Sequence, residues 1–254
     1  MSDDYIVKPV AKALQTLIVL GESGRDLSLA ELCSRMTIPK TTVFRYLQTL
    51  VEYGFVRYDP TADKYSLGLR LWSLGQGVWS AARLQEVAHG PMDDLRSLFD
   101  ETINLGVLDG KEIVYIAMAE SHRALRMHAT LGGRDPVYST SLGRAILAAL
   151  PESQWSRHLP GRLTPMTPRT INSLTLLRSN LMDTMRRGYS IDDGENEENA
   201  RCIGAAIFDG QNRPIAAISV SSPSSRMDDE RMVEVAAAVM DAARRISLML
   251  GYQP

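Results

Sequence analysis

The stretch SLAELCSRMTIPKTTVFRYLQTLVEYG, residues 28–54, decides how the chain is read. Ser28 precedes Leu29, Ala30 and Glu31, so its hydroxyl can accept the Glu31 amide proton while the Glu31 carboxylate reaches back to Ser28, a capping box that opens a helix. Leu29, Leu32, Cys33 and Met36 recur at helical spacing and form the buried side. Thr37 and Ile38 break the pattern, and Pro39, with its fixed φ and missing amide proton, suits the first position of a new helix. That helix runs to about Tyr53 and is stopped by Gly54. Two short helices joined by a tight turn predict a helix-turn-helix. In its second helix Val43, Leu47, Leu50 and Val51 point inward, while Lys40, Thr41, Thr42, Arg45, Tyr46 and Gln48 point outward. The outward set is cationic and hydrogen-bonding, and Lys40 and Arg45 are the only charges between Pro39 and Thr49.

Working outward, Val10, Leu14, Leu17 and Ile18 predict a preceding helix, ended by Gly21 and Gly24. Downstream, the runs 55–58 and 64–67 flank the polar turn Asp59-Pro60-Thr61-Ala62-Asp63 and predict a β-hairpin, the wing of a winged helix. From Leu69 to about Leu84 a helix carries Leu71, Trp72, Leu74, Val78 and Trp79, too apolar for a solvated linker and suited to packing on a second subunit. A further helix holding Val87, Met92, Leu95, Leu98 and Phe99 begins a separate α+β domain. Its strands are expected at 102–108, 112–119, 202–208 and 214–221, with helices from Ser141 to Leu150, one closing at Gly188, and a last one over Asp228–Leu250.

Bulk properties narrow the class. A chain of 254 residues with 44% hydrophobic and 23% charged residues can fill one large core or two modest ones. The acidic start Met1-Ser2-Asp3-Asp4 is unlike a signal peptide, and Glu234, Asp241, Arg244 and Arg245 interrupt the most apolar C-terminal stretch, so a cytoplasmic protein without a membrane span is expected. Cys33 and Cys202 stand far apart and read as reduced thiols. The net charge of -2 does not itself point to nucleic acid, so DNA binding has to rest on local distribution.

The run 40–50, the wing ending Lys64-Tyr65-Ser66-Leu67-Gly68-Leu69, and the stretch from Gly188 to Asp209 together resemble the IclR family of transcription regulators, and the resemblance spans about Val7 to Tyr252. It departs from the family pattern at Asn199-Ala200, where a Gly-containing pair is usual, and at Ala206, where many members carry Pro. The resemblance implies an α+β architecture of three parts: a winged helix-turn-helix over 7–68, a dimerising linker helix over 69–84, and a GAF/PAS-like effector-binding domain over 85–254. It also implies homodimers or homotetramers on double-stranded operator DNA, no cofactor, and regulation by a small carboxylate. The stretches 101–106, 113–116, 125–127, 136–140 and 244–252 are most similar to the branch that responds to 2-keto-3-deoxygluconate, which implies a sugar acid or related 2-oxo acid.

For DNA, Arg45 can donate bidentately to guanine and Gln48 can pair with adenine, while Lys40, Thr41, Thr42, Tyr46 and the wing's Lys64 hold phosphates, with Pro39 counted in the same DNA-binding set. Ser28 could also present its helix's amides to a phosphate. The family's ligand-lining positions fall on Met127, Ser141, Leu142, Asp192, Cys202, Gly204, Ser219 and Ser221. The acidic run Asp192-Asp193-Gly194-Glu195-Asn196-Glu197-Glu198 lacks EF-hand spacing and reads as a solvated loop. His89, His122, His128 and His158 show no metal-ligand pairing. An enzyme using Cys202 as nucleophile and His128 as base would need an activated thiolate, which an apolar strand disfavours. The family reading makes the chain a repressor of a catabolic operon, with a ligand-dependent activator as the alternative.

Overall fold

The structure, a computed structural model, describes residues 6–76 and 79–253, the side chains of 75–82 excepted. The chain divides into two compact units at Trp79/Ser80.

The first unit holds α1 (Lys8–Glu22), α2 (Leu29–Arg35), α3 (Lys40–Glu52), the hairpin β1 (Val56–Asp59) and β2 (Lys64–Leu67), and α4 (Leu69–Gln76). The capping box forms: Ser28 Oγ accepts from the Glu31 amide at 3.3 Å and the Ser28 amide donates to Glu31 Oε2 at 2.8 Å. Pro39 is the N-cap of α3 rather than its first turn, because its ψ of 139° is extended and its carbonyl accepts from the Thr42 and Val43 amides. The core gathers Leu20, Leu27, Leu32, Met36, Val43, Leu47, Val56 and Tyr65, and Leu27 pairs with Tyr65 to tie the α1–α2 loop to the wing. Leu50 and Val51 are only half-buried, and the expected apolar stripe of α1 turns outward: Val10, Leu14 and Ile18 are all more than half exposed in the single chain.

The second unit is a six-stranded antiparallel sheet with helices on both faces, the architecture of a GAF/PAS-like domain. Its strands are β3 (Thr102–Asp109), β4 (Glu112–Ala119), β5 (Arg134–Pro136), β6 (Ser190–Asp193), β7 (Ala200–Phe208) and β8 (Pro214–Pro223), in the order β5-β4-β3-β8-β7-β6. Alternation along the strands sorts the two faces. Ile103, Leu105, Ile203, Ala205, Ile207, Ile218 and Val220 pack in one core with α5 (Trp79–Phe99) and α9 (Asp229–Met249). The opposite face lies under α6 (Ser141–Ala149), α7 (Glu152–His158) and α8 (Leu174–Arg187), and is polar toward the 102, 192, 202 and 221 ends. The helix α5 runs unbroken through 84/85, where two helices were expected, and takes Pro91 in its stride after Gly90. Gly77 and Val78, within the expected linker helix, lie outside the described residues, as does the Trp79 side chain.

Gly188 closes α8 in the left-handed conformation, φ 82°, which glycine adopts without a Cβ penalty. Asn199 holds φ 61° where relatives in the family pattern carry a Gly-containing pair, a conformation asparagine tolerates better than most residues. Its carbonyl accepts from the Ser224 amide at 2.7 Å, which ties the loop after the acidic run to the end of β8.

Candidate functional site

Two surfaces carry chemistry, one in each unit. On α3, Val43 and Leu47 are fully buried, which fixes the helix's rotation and leaves Lys40, Thr41, Arg45 and Gln48 exposed. Thr42 and Tyr46 lie half-buried on one flank, less outward than the periodicity suggested, and Lys64 on β2 is half-buried in the wing. Exposed Phe44 joins the outward face, a position the sequence reading passed over. Pro39 is exposed at the start of the helix.

Ser28 forms the expected cap of α2. Its hydroxyl is taken by the Glu31 amide, and α2 has only seven residues. The Glu31 carboxyl sits on the same helix start. Bonds from the Ser28 amide and from Arg25, with Arg25 Nη2 at 2.8 Å from Glu31, lower its pKa to about 2. The hydroxyl and the amide of Ser28 are thus both engaged in the capping box.

In the second unit the polar sheet face and the N-terminus of α6 enclose a cavity of about 380 Å³. Register explains how it is assembled. Asp192 pairs with Cys202, Cys202 with Ser221, and Ser221 with Thr102, while Gly204 pairs with Ser219 and Ser219 with Asn104, so these side chains share one face. Of the positions implied by the family resemblance, Met127, Ser141, Leu142, Asp192, Cys202, Ser219 and Ser221 line the cavity. Gly204 does not. A Cβ there would stand 2.9 Å from the Ser141 carbonyl oxygen and 3.0 Å from its carbon, so Gly204 lets β7 approach the start of α6. Ser190 Oγ donates to that same Ser141 carbonyl.

The cavity also takes in Asn104, Tyr115, His128, Asp135 and Asn196, which the resemblance did not supply. Asn104 donates Nδ2 to Ser221 Oγ at 3.1 Å, and its buried Oδ1 has no partner. The Tyr115 hydroxyl donates to Asp135 Oδ2 at 2.7 Å, and burial, followed by the Asp135 charge, pushes the phenol pKa up. At α6, Thr140 Oγ1 accepts from the Gly143 amide at 3.0 Å, so the Ser141 and Leu142 amides are left without an intrahelical acceptor.

The acidic run is a solvated loop only in part. Asp192 is 2% exposed and Glu195 8%. Both Glu195 oxygens accept from Nη1 of Arg144 at 2.8 Å, and Arg144 is itself fully buried within α6. Asp192 Oδ1 accepts from the Glu195 amide at 2.7 Å and the Asn196 amide at 3.3 Å. Burial outweighs these bonds and the nearby Arg144 charge and raises the Asp192 pKa to about 6. The buried Arg144–Glu195 ion pair turns the Asp192 and Glu195 part of the run inward, while Glu197 and Glu198 stay exposed.

Cys202 is half-buried beside Asp192, and desolvation, followed by that carboxylate, pushes its thiol well above the ordinary range. His128 instead pairs through Nδ1 with Glu120 at 3.2 Å. Among the described residues no cluster of three or more His, Cys, Asp or Glu could hold a metal, and no helix is long and apolar enough to cross a membrane.

A winged helix with a cationic, hydrogen-bonding outer face, followed by a second unit built around a partly open cavity lined by polar and apolar groups, defines a DNA-binding transcription regulator with its own ligand-binding domain. The IclR helix-turn-helix domain family matches residues 9–60, and the family described as bacterial transcriptional regulator IclR C-terminal matches 76–248. The chain belongs to the IclR family of bacterial transcriptional regulators. It is 38% identical to the HTH-type transcriptional regulator KdgR of Escherichia coli (strain K12), over 97% of this chain and 94% of that one. Transcriptional repressor IclR of the same organism is 33% identical, over 96% and 90%. Among solved structures, the Thermotoga maritima IclR superposes with a TM-score of 0.79 at 30% identity, covering 97% of this chain and 100% of that one. An IclR homolog complexed with 4-hydroxybenzoate from Microbacterium hydrocarbonoxydans superposes with a TM-score of 0.82 at 26% identity, covering 95% and 98%. The relatives are named regulators and repressors, and the chain is a regulator, not an enzyme.

Proposed function

We propose that the chain is a repressor whose operator binding weakens when a small carboxylate, a sugar acid or related 2-oxo acid, fills the cavity of the second unit. The observation that carries this is the start of α6, where the Ser141 and Leu142 amides have no intrahelical acceptor and both residues line a cavity that also holds many hydrogen-bonding side chains. A helix start with unpaired amides attracts a carboxylate. Asp192, Asn104, Ser219 and Ser221 then meet the keto and hydroxyl oxygens of an aliphatic acid better than they would an aromatic ring. On DNA, Arg45 and Gln48 read base edges while Lys40, Thr41, Thr42, Tyr46 and Lys64 hold the backbone.

The protein acts as a homo-oligomer in this reading, a dimer or a pair of dimers. Val10, Leu14 and Ile18 on α1 with Leu69 and Trp72 on α4 leave exposed apolar side chains in the first unit that a second copy can cover. Two-fold pairing of winged helices also matches the palindromic operators that such proteins read.

A thermal-shift panel of sugar acids, 2-oxo acids and aromatic acids tests the ligand class, because an acid that binds only the native state raises Tm. At a hundredfold excess over Kd the stabilisation is about 2.7 kcal/mol, a shift of about 5–11 °C for a chain of this size. A rise with 2-keto-3-deoxygluconate or another sugar or 2-oxo acid supports the reading. A rise confined to aromatic acids removes the ligand class and keeps the cavity, and no rise with any acid removes the carboxylate sensor.

A further inference from the structure

Phe44 stands out on the α3 face. Its side chain is 43% exposed, while the other three phenylalanines, Phe55, Phe99 and Phe208, are half-buried or buried. The α3 core contacts are carried by Val43 and Leu47, fully buried, with Leu50 and Val51 half-buried beside them, so Phe44 is not needed to hold the helix down. At about 100° per residue, Phe44 lies one turn beyond Lys40, one turn before Gln48, and beside Thr41 and Arg45. These four neighbours are exposed and are hydrogen-bonding or cationic. An aromatic ring set inside such a face is not a scattered surface apolar residue; it is the one apolar probe among groups suited to a DNA groove.

We propose that Phe44 reads sequence directly, by packing its ring against the C5-methyl group of a thymine in the major groove, in the same half-site as the bases met by Arg45 and Gln48. The chemistry is specific. Among the four base pairs only thymine presents a methyl group in the major groove, and an apolar side chain has no favourable contact with the amino and carbonyl edges of the others. The ring excludes water from the methyl, and the flanking polar side chains keep register through hydrogen bonds to bases and phosphates. The inference concerns the DNA face alone and does not depend on the ligand proposed for the second unit.

The test uses the full-length chain and duplexes selected by it from a random pool. Each thymine of the selected consensus is replaced in turn by deoxyuridine, which removes the methyl and leaves the hydrogen-bonding edge unchanged. The wild-type chain is expected to lose about fourfold in affinity at one thymine per half-site, the ratio set by one buried methyl group. Phe44→Ala is expected to bind the thymine duplex more weakly and to show no further loss on deoxyuridine at that position, the signature of a coupled pair in a double-mutant cycle. Phe44→Leu, which keeps an apolar contact, is expected to retain part of the discrimination, and it serves if the alanine variant melts early. The proposal is overturned if no single deoxyuridine weakens the wild type, if the loss persists undiminished in Phe44→Ala, or if Phe44→Ala weakens selected and random duplexes by the same factor.

Discussion

Asp192 is a carboxyl group held where water barely reaches, and its proton balance follows from that. Its pKa rises from the ordinary 3.8 to about 6, with burial as the leading cause and Arg144 opposing it. Between those values the folded chain holds the proton that the unfolded chain releases. The contribution of Asp192 to stability is therefore full below pH 4 and is lost as pH rises through about 6, by on the order of 1–3 kcal/mol for a shift of this size. Asp192→Asn keeps an oxygen for the Glu195 and Asn196 amides and removes the titration. In urea unfolding from pH 4 to 8, the wild type is expected to lose stability relative to the variant as pH rises through 6. A constant difference across that range would show that Asp192 is not a buried acid. The family resemblance placed Asp192 at the cavity, but its burial was not readable from a string of acids. The signal stood elsewhere, in Arg144, a lone cation inside the otherwise apolar run of α6 that needed a buried partner.

Elements were most legible where a local pattern and a local cap agree. The α2 capping box, the α3 apolar spacing, the Gly188 stop and the alternation of β3, β7 and β8 are set by residues within a few positions of one another, and each element appears within two residues of its expected ends. The short pieces β5, β6 and α7 were not read, because they form by pairing with or packing on distant segments. The role of Gly204 is of the same kind: only the approach of α6 shows why a side chain cannot fit there. Ser28 marks the limit of local reading, since a cap and a phosphate contact use the same residue type. The capping box predicts that Ser28→Ala costs about 1 kcal/mol of stability in denaturant melts. It also predicts that the slope of log affinity against log salt on random duplex stays as in the wild type, since no phosphate contact is removed. A slope flatter by about one would restore Ser28 to the DNA contact set.

At the scale of the molecule, each unit has its own core, one around Leu27, Leu32 and Leu47, the others around the six-stranded sheet. A ligand in the second unit can thus alter DNA binding only through a coupling free energy between two separate sites. Such coupling is reciprocal at equilibrium: if saturating acid weakens operator binding tenfold, saturating operator must weaken acid binding tenfold, about 1.4 kcal/mol in each direction. The chain's net charge of -2 gives it no general attraction for DNA, so operator affinity rests on the local cations of α3 and the wing, and the comparison has to be made at one fixed salt concentration. Titration calorimetry of the best acid from the thermal-shift panel, into the free protein and into the protein saturated with its selected duplex, measures the factor directly. An acid bound more weakly by the operator-saturated protein than by the free protein couples ligand and operator with opposing sign, as a ligand-released repressor requires. An acid whose affinity is unchanged by bound operator is a stabilising ligand without control over DNA, and the repressor mechanism then fails even though the cavity is occupied. An acid bound more tightly in the presence of operator reverses the sign and makes the protein a ligand-dependent binder of its operator.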